Sequence, residues 1–117
     1  MITTKSIYKP PNSHDGYRIL VERYWPEGVV DEESAIDFWL QEIAPSDDLK
    51  KLYSGDLKKW SEFKAKYFEE LEDKKSAIMI IVNRAREGDV TLLQASGRDI
   101  YTPGEAIREF IYRNYNL

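Results

Sequence analysis

Apolar residues alternate near the start of the 117-residue chain and recur at helical spacing through its middle. Residues 3–8 are short and β-rich, and Pro10 and Pro11 stop that strand because proline cannot donate to a ladder. After the loop PPNSHDG, residues 17–25 predict a second strand. Pro26 ends it, holding Trp25 extended and supplying a φ that suits a turn closed by Gly28. In a pleat, Tyr17, Ile19, Val21, Arg23 and Trp25 share one face, and Arg18, Leu20, Glu22 and Tyr24 share the other.

Helical patterns follow. Asp31, Glu32 and Glu33 put negative charge where a helix amino terminus favours it, and Ile36, Trp39, Leu40 and Ile43 then recur at helical spacing, predicting a helix that ends before Pro45. Ser46 caps a predicted short helix through Tyr53, with Asp47 and Asp48 in its first turn and Gly55 at its end. Asp56 caps the next helix, whose apolar stripe is Leu57, Trp60, Phe63, Tyr67 and Leu71. The stretch SAIMIIVNRAREG is ambiguous: its β-branched residues argue for a strand, while Ile78, Ile81, Val82 and Ala85 fit a helical face closed by Gly88. Residues 89–95 predict a third strand, apolar on both faces and so central in the sheet. Thr102, Pro103 and Glu105 spell a helix start, and Ile107, Phe110 and Ile111 bury that last helix.

The order strand, strand, several helices, strand, helix predicts a single α/β domain over residues 1–117, with a small sheet of about three strands, mainly parallel, and about five helices packed on it. In a parallel sheet, ligands belong at the carboxyl ends of the strands, here near residues 9–11, 23–28 and 96–102.

Composition narrows the partners. Lys plus Arg number 17 against 21 for Asp plus Glu, a net charge of −4, so phosphate repulsion argues against nucleic acid. Cysteine is absent, which removes thiol nucleophiles and thiolate metal sites and agrees with a reducing, cytoplasmic setting. The apolar run at 77–82 is too short for a bilayer, and MITTKSIYK lacks the apolar core of a signal peptide. The expectation is a cytoplasmic protein with no membrane partner.

The segments IYKPP, DGYRILVERYWPEGV, AIDFWLQEIAPS, KKWSEFKAKY and VTLLQAS resemble the YeaO-like family of small uncharacterised bacterial and archaeal proteins, across nearly the whole chain. The run 15–28 is the most specific part, with Asp37, Trp39, Pro45, Ser46 and Trp60 in register. The resemblance implies an architecture more than an activity. It also implies that residues 76–87 are helical. Two departures bear on function: family members often carry a histidine before the aspartate matching Asp56, where this chain has Gly55, and a Lys-Asp followed by His-Asn after the last strand. Here that loop reads SGRDIYTPGE, with Arg98 and Asp99 in place of Lys-Asp and no histidine. Proton transfer by those histidines, where it occurs in the family, has no counterpart in this chain.

Among candidate site residues, Arg23 is the sharpest, because a guanidinium on the face of Ile19 and Val21 must reach water or find an acceptor. Two readings stand: an internal salt bridge to Asp37, Glu22 or Asp99, or a functional anion pocket suited to arginine's planar fork. Arg98 supports the second, since it lies between the third strand and a helix start. There Thr102 and the backbone N–H groups of Gly104 and Glu105 could surround an anion, although Thr102 also reads as a plain cap. Trp25 and Tyr24 flank the turn at Pro26 as pocket walls or as a lid on the sheet edge, with Tyr8 nearby. Trp39 and Trp60 lie on helical stripes and read as core. Lone His14 has no second histidine or cysteine to help it hold a metal, and Asp15, Asp37 and Asp99 give only a weak signal for a carboxylate pair. No catalytic residue, metal or cofactor is assigned. Two functions are expected: binding of a small anion through Arg23, Arg98, Trp25, Tyr8 and Thr102, or a non-enzymatic interaction or regulatory module, as a homodimer or with another partner, with Arg23 tied internally.

Overall fold

In a computed structural model that describes residues 1–54, 56–95 and 101–117, the chain forms one parallel sheet with its longer helices on one face. The strands are β1 (Ile2–Ser6), β2 (Tyr17–Leu20), β3 (Phe38–Trp39) and β4 (Val90–Gln94). Their order across the sheet is β1-β4-β2-β3, and all three pairings are parallel. Strand β4 is buried along its whole length between β1 and β2, with Thr4 and Ile19 both opposite Leu92. That is the central position its two apolar faces predict.

The helices are α1 (Asp31–Ser34), α2 (Asp47–Tyr53), α3 (Trp60–Glu72), α4 (Lys75–Glu87) and α5 (Pro103–Asn114). Ser46 caps α2 by accepting from Leu49 N, and Thr102 caps α5 by accepting from Glu105 N. The ambiguous segment is helix α4: Ala77, Ile78, Ile81 and Val82 are its buried face, so the 3.6-residue period prevails over β-branching. Ile19, Val21 and Leu92 of the sheet meet Phe63 and Tyr67 of α3, Ile78 and Ile81 of α4, and Ile107 and Phe110 of α5 in the main core. Each fully buried side chain of this size contributes about 1.5–3 kcal/mol. The opposite face holds a smaller cluster in which Leu20, Trp39 and Leu93 of the strands are covered by Ile7, Val29 and Ile36 of the connections rather than by helices α2–α5.

Two expectations are corrected. No helix runs from residue 31 to residue 44: α1 stops at Ser34, β3 follows, and a 3₁₀ turn spans Gln41–Ile43. The cause is tertiary. Buried Arg18 donates from Nη2 to Ser34 O at 2.7 Å and from Nε to Ala35 O at 3.0 Å, taking the carbonyls that a continuing helix would need. Ala35 turns left-handed at φ 52°, and Asp37 pairs with Arg18 through both its backbone N–H and its carboxylate. Trp39 is therefore a strand residue and the sheet has a fourth strand. The second strand also ends earlier than expected, at Leu20. Only Val21 N, donating to Leu93 O, prolongs its ladder, so the alternation of faces does not extend to Arg23 or Trp25.

One glycine is required by the fold. Gly16 enters β2 at φ 67°, and a Cβ there would lie 2.1 Å from Asp89 O.

Candidate functional site at the carboxyl ends of the strands

At the end of β2 the chain places Glu22 and Arg23. Glu22 accepts from Ala95 N at 3.0 Å and lies 3.6 Å from Lys50 Nζ, so its carboxylate bridges the ends of β2 and β4 and faces α2. Its own carbonyl accepts from Trp39 Nε1 at 2.6 Å. Arg23, half-buried, turns to the segment ahead of α2: Nη2 donates to Ala44 O at 3.0 Å and to Pro45 O at 3.3 Å, and Nε to Pro45 O at 3.4 Å. Residues 44 and 45 lie between a 3₁₀ turn and a helix, where no ladder uses their carbonyls, and the guanidinium fills that need. The expected salt bridge is thus corrected for two of its three partners. Glu22 is occupied as described and Asp37 accepts from Arg18 N at 2.8 Å, while Asp99 lies outside the described residues.

Lys74, which the sequence reading does not single out, joins Arg23 by donating to Ala44 O at 2.8 Å. Burial, with the charge of Arg23, holds its ammonium below its ordinary pKa, against the pull of Glu70 and Glu42. Glu70 is itself fixed by Ser46, whose N–H and hydroxyl donate to its carboxylate at 2.9 and 2.6 Å. Beneath them Tyr67 donates to Ile43 O, and burial pushes its phenol well above the ordinary range, with Glu70 and Glu22 adding to the shift.

At the end of β4, Gln94 turns into the amino terminus of α5. Nε2 donates to Thr102 Oγ1 at 3.0 Å and Oε1 accepts from Gly104 N at 3.0 Å, while Thr102 Oγ1 accepts from Glu105 N at 3.3 Å. Ala106 N donates to Thr102 O, and Pro103 has no N–H, so the first-turn donors of this helix are all engaged within the chain. A Cβ on Gly104 would meet Gln94 Oε1 at 2.4 Å, so the side chain fits only because that residue is glycine. Gln94 had a legible signal: a polar residue in a central strand must find partners.

The remaining candidates are held elsewhere. Tyr8 donates to Glu27 O at 2.8 Å and Trp25 Nε1 to Val29 O at 2.9 Å, so both fasten the turn after Pro26. Trp25 also packs edge-on against Trp39, with centroids 5.2 Å apart. Arg23, Trp25, Tyr8 and Thr102 thus have separate sets of partners, and Arg98 lies outside the described residues. His14 is exposed in a 3₁₀ turn. Among the described residues, no three His, Asp or Glu side chains are grouped to hold a metal ion, and no helix is long and apolar enough to cross a membrane.

The polar network lies instead at the amino end of β2. Asp15 is 9% exposed and Arg18 is 3% exposed, and the two form an ion pair. Lys5 Nζ reaches the same carboxylate at 2.9 Å, Asn12 N donates to it at 3.0 Å, and Thr91 Oγ1 closes on Asp15 O at 2.7 Å. Burial alone would raise the pKa of Asp15, but Lys5, Asn12 N and Arg18 together hold it below its ordinary value.

Fold and site together define a small parallel α/β domain whose strand ends are closed largely by its own side chains. The chain belongs to the family described as the inactive DUF488-N3 subclade, which it matches over residues 1–116. It is similar to the uncharacterized protein YeaO of Escherichia coli, 35% identical over 95 residues that cover 81% of this chain and 83% of that one. Uncharacterized proteins of Mycobacterium tuberculosis and Mycobacterium bovis are each 31% identical over 102 residues, 87% of this chain and 76% of theirs. No solved structure matches the chain.

Proposed function

We propose that this protein is a non-enzymatic interaction module in which Arg23 is a structural fastener. One observation carries the reading: at the strand ends, where parallel α/β folds receive ligands, Glu22, Arg23, Gln94 and Thr102 all bond to the protein's own backbone or side chains. The family's description as inactive supports it. The partner is a second copy of the chain, meeting this one along β3. That strand is one of the two edges of the sheet; at the other, β1, the backbone of Ile2 is already bonded to Tyr112 and Arg108, and an open edge is self-complementary under a two-fold axis. Aromatic rings flank it, Phe38 at 39% exposed and, paired with Trp39, Trp25 at 37%.

The anion-binding reading keeps one supporting observation, the convergence of Arg23 and Lys74 on a single carbonyl oxygen. Sedimentation equilibrium, together with thermal unfolding in phosphate, sulfate and acetate, separates the two. The module reading expects a dimer that Phe38→Lys dissociates, and anion effects that are the same in wild type and Arg23→Ala. A monomer at every concentration, or stabilisation by one anion that vanishes in Arg23→Ala, overturns it.

A further inference from the structure

Between α3 and α5 lies a cavity of about 580 Å³, within the size range of small-ligand sites, roughly 300–1,000 Å³. Its apolar walls are aromatic: Trp60 at the start of α3, Tyr101 just ahead of α5, and Tyr112 on α5. Trp60 is fixed from behind by Tyr53 and Phe63, each with its ring centroid 5.4 Å away, and it meets Tyr101 edge-on at 5.7 Å. Tyr101 is held through its backbone, whose carbonyl accepts from Tyr53 Oη at 3.1 Å, and its ring is left 42% exposed. The wall is therefore built by a rigid indole and a phenol whose ring carries none of the fold's described hydrogen bonds.

Among the described residues, the charged lining is three cations, Lys64, Arg108 and Arg113, against two carboxylates, Glu105 and Glu109, an excess of one positive charge. Lys64 is committed to Glu109 at 3.0 Å. The two guanidinium groups lie over aromatic rings, Arg108 5.2 Å from Tyr112 and Arg113 5.8 Å from Phe68, and their acids are distant: Arg108 Nη1 is 3.8 Å from Glu105 and Arg113 Nη2 is 3.8 Å from Glu109, both beyond hydrogen-bond distance. Arg108 is oriented by Nε, which donates to Ile2 O at 2.7 Å, and Arg113 is 63% exposed. A cavity of about 620 Å³ beside α2 and α3 has the opposite sign: Asp48, Glu69, Glu70 and Asp73 line it against Lys66. A smaller one of about 390 Å³ beside β1 is also positive, with Lys5, Lys9 and Arg108 against Glu105, but has no aromatic wall. The cleft between α3 and α5 is the one that offers a positive charge and an aromatic wall together.

We infer that this cleft binds a small planar aromatic molecule carrying one anionic group. The ring lies against Trp60 and Tyr101, and the anion takes the free N–H groups of Arg113 and Arg108. A flat ring matches the aromatic wall, and a single negative charge cancels the local excess. The cleft adjoins the amino terminus of α5 through Tyr101 and Glu105, but it uses none of Glu22, Arg23, Gln94, Thr102 or the β3 edge, so it stands or falls independently of the module reading.

Calorimetric titration of the full chain with phenylacetate and with phenyl phosphate tests it, with acetate and inorganic phosphate as controls lacking the ring. The expected result is saturable one-to-one binding of at least one aryl anion and none of the controls at the same concentration. Arg113→Gln, on the surface, and Tyr101→Ala, which removes only the ring, each weaken binding by about tenfold or more. Carboxylate and phosphate arms tell which anionic group the arginines prefer. Failure of both aryl anions to bind overturns the proposal, as does equal binding of the controls or binding that neither variant affects. A circular dichroism melt of each variant matching wild type excludes misfolding as the cause of a loss.

Discussion

The two ends of strand β2 each carry an arginine, and they are held in different ways. At the amino end, Arg18 has a carboxylate, Asp15, and the carbonyls of Ser34 and Ala35, all in a buried setting. At the carboxyl end, Arg23 is half-buried and its described partners are carbonyl oxygens. A buried ion pair is costly to break because its survivor is left charged and unsolvated, whereas a guanidinium on carbonyls leaves neutral groups that water can reach. The lesson is that a strand's alternation identifies which arginine looks out of place, and the depth of the surroundings identifies which one the fold cannot lose.

That contrast is open to measurement. The largest effect is expected for Arg18→Met, which strips Asp15 of its closest partner and leaves two carbonyls unpaired. Urea unfolding should register a loss of about 3–5 kcal/mol, and a loss no greater than that of Arg23→Ala would erase the distinction. Acid sensitivity should follow the same end of the sheet. Asp15 has a depressed pKa in the native state, so its contribution is fully present above the ordinary carboxylate range and disappears as pH falls through the native value. Stability measured from pH 6 downward should therefore decline more steeply in wild type than in Asp15→Asn; parallel slopes would remove Asp15 from the account. The smallest change is expected for Arg23→Ala, about 1–2 kcal/mol, because its hydrogen bonds are partly exposed. A larger loss would move the structural weight to the carboxyl end.

Much of the fold is legible in the chain. Gly16 marks the start of β2, Ser46 and Thr102 mark helix starts, and the stripe Phe63, Tyr67 and Leu71 gives α3 its buried face, while β1 ends at Ser6, ahead of the prolines expected to stop it. The segment from 31 to 44 is not legible, and its apolar spacing is helical by coincidence. After the turn at Ser34 and Ala35 that Arg18 imposes from outside the segment, Ile36 and Trp39 join the small cluster on the far face of the sheet, while Leu40 and Ile43 are buried in the main core. The strand-end site was legible only as a list of polar residues. Which of them meet depends on Gln94 reaching α5 across eight residues and on Lys74 arriving from the α3–α4 junction, distances in sequence that no local pattern encodes.

The place of β4 at the centre of the sheet sets an order of events during synthesis. Strands β1 and β2 are made well before the backbone that both pair with, from Val90 to Gln94. Until then β1 has no strand to pair with and β2 has only Phe38–Trp39, and Ile2 has a further wait, because its amide and carbonyl are closed by Tyr112 and Arg108 of the last helix. The pairing of β1 and β2 across β4 is therefore of high sequence separation, the kind of contact whose loop-closure cost is met before its gain.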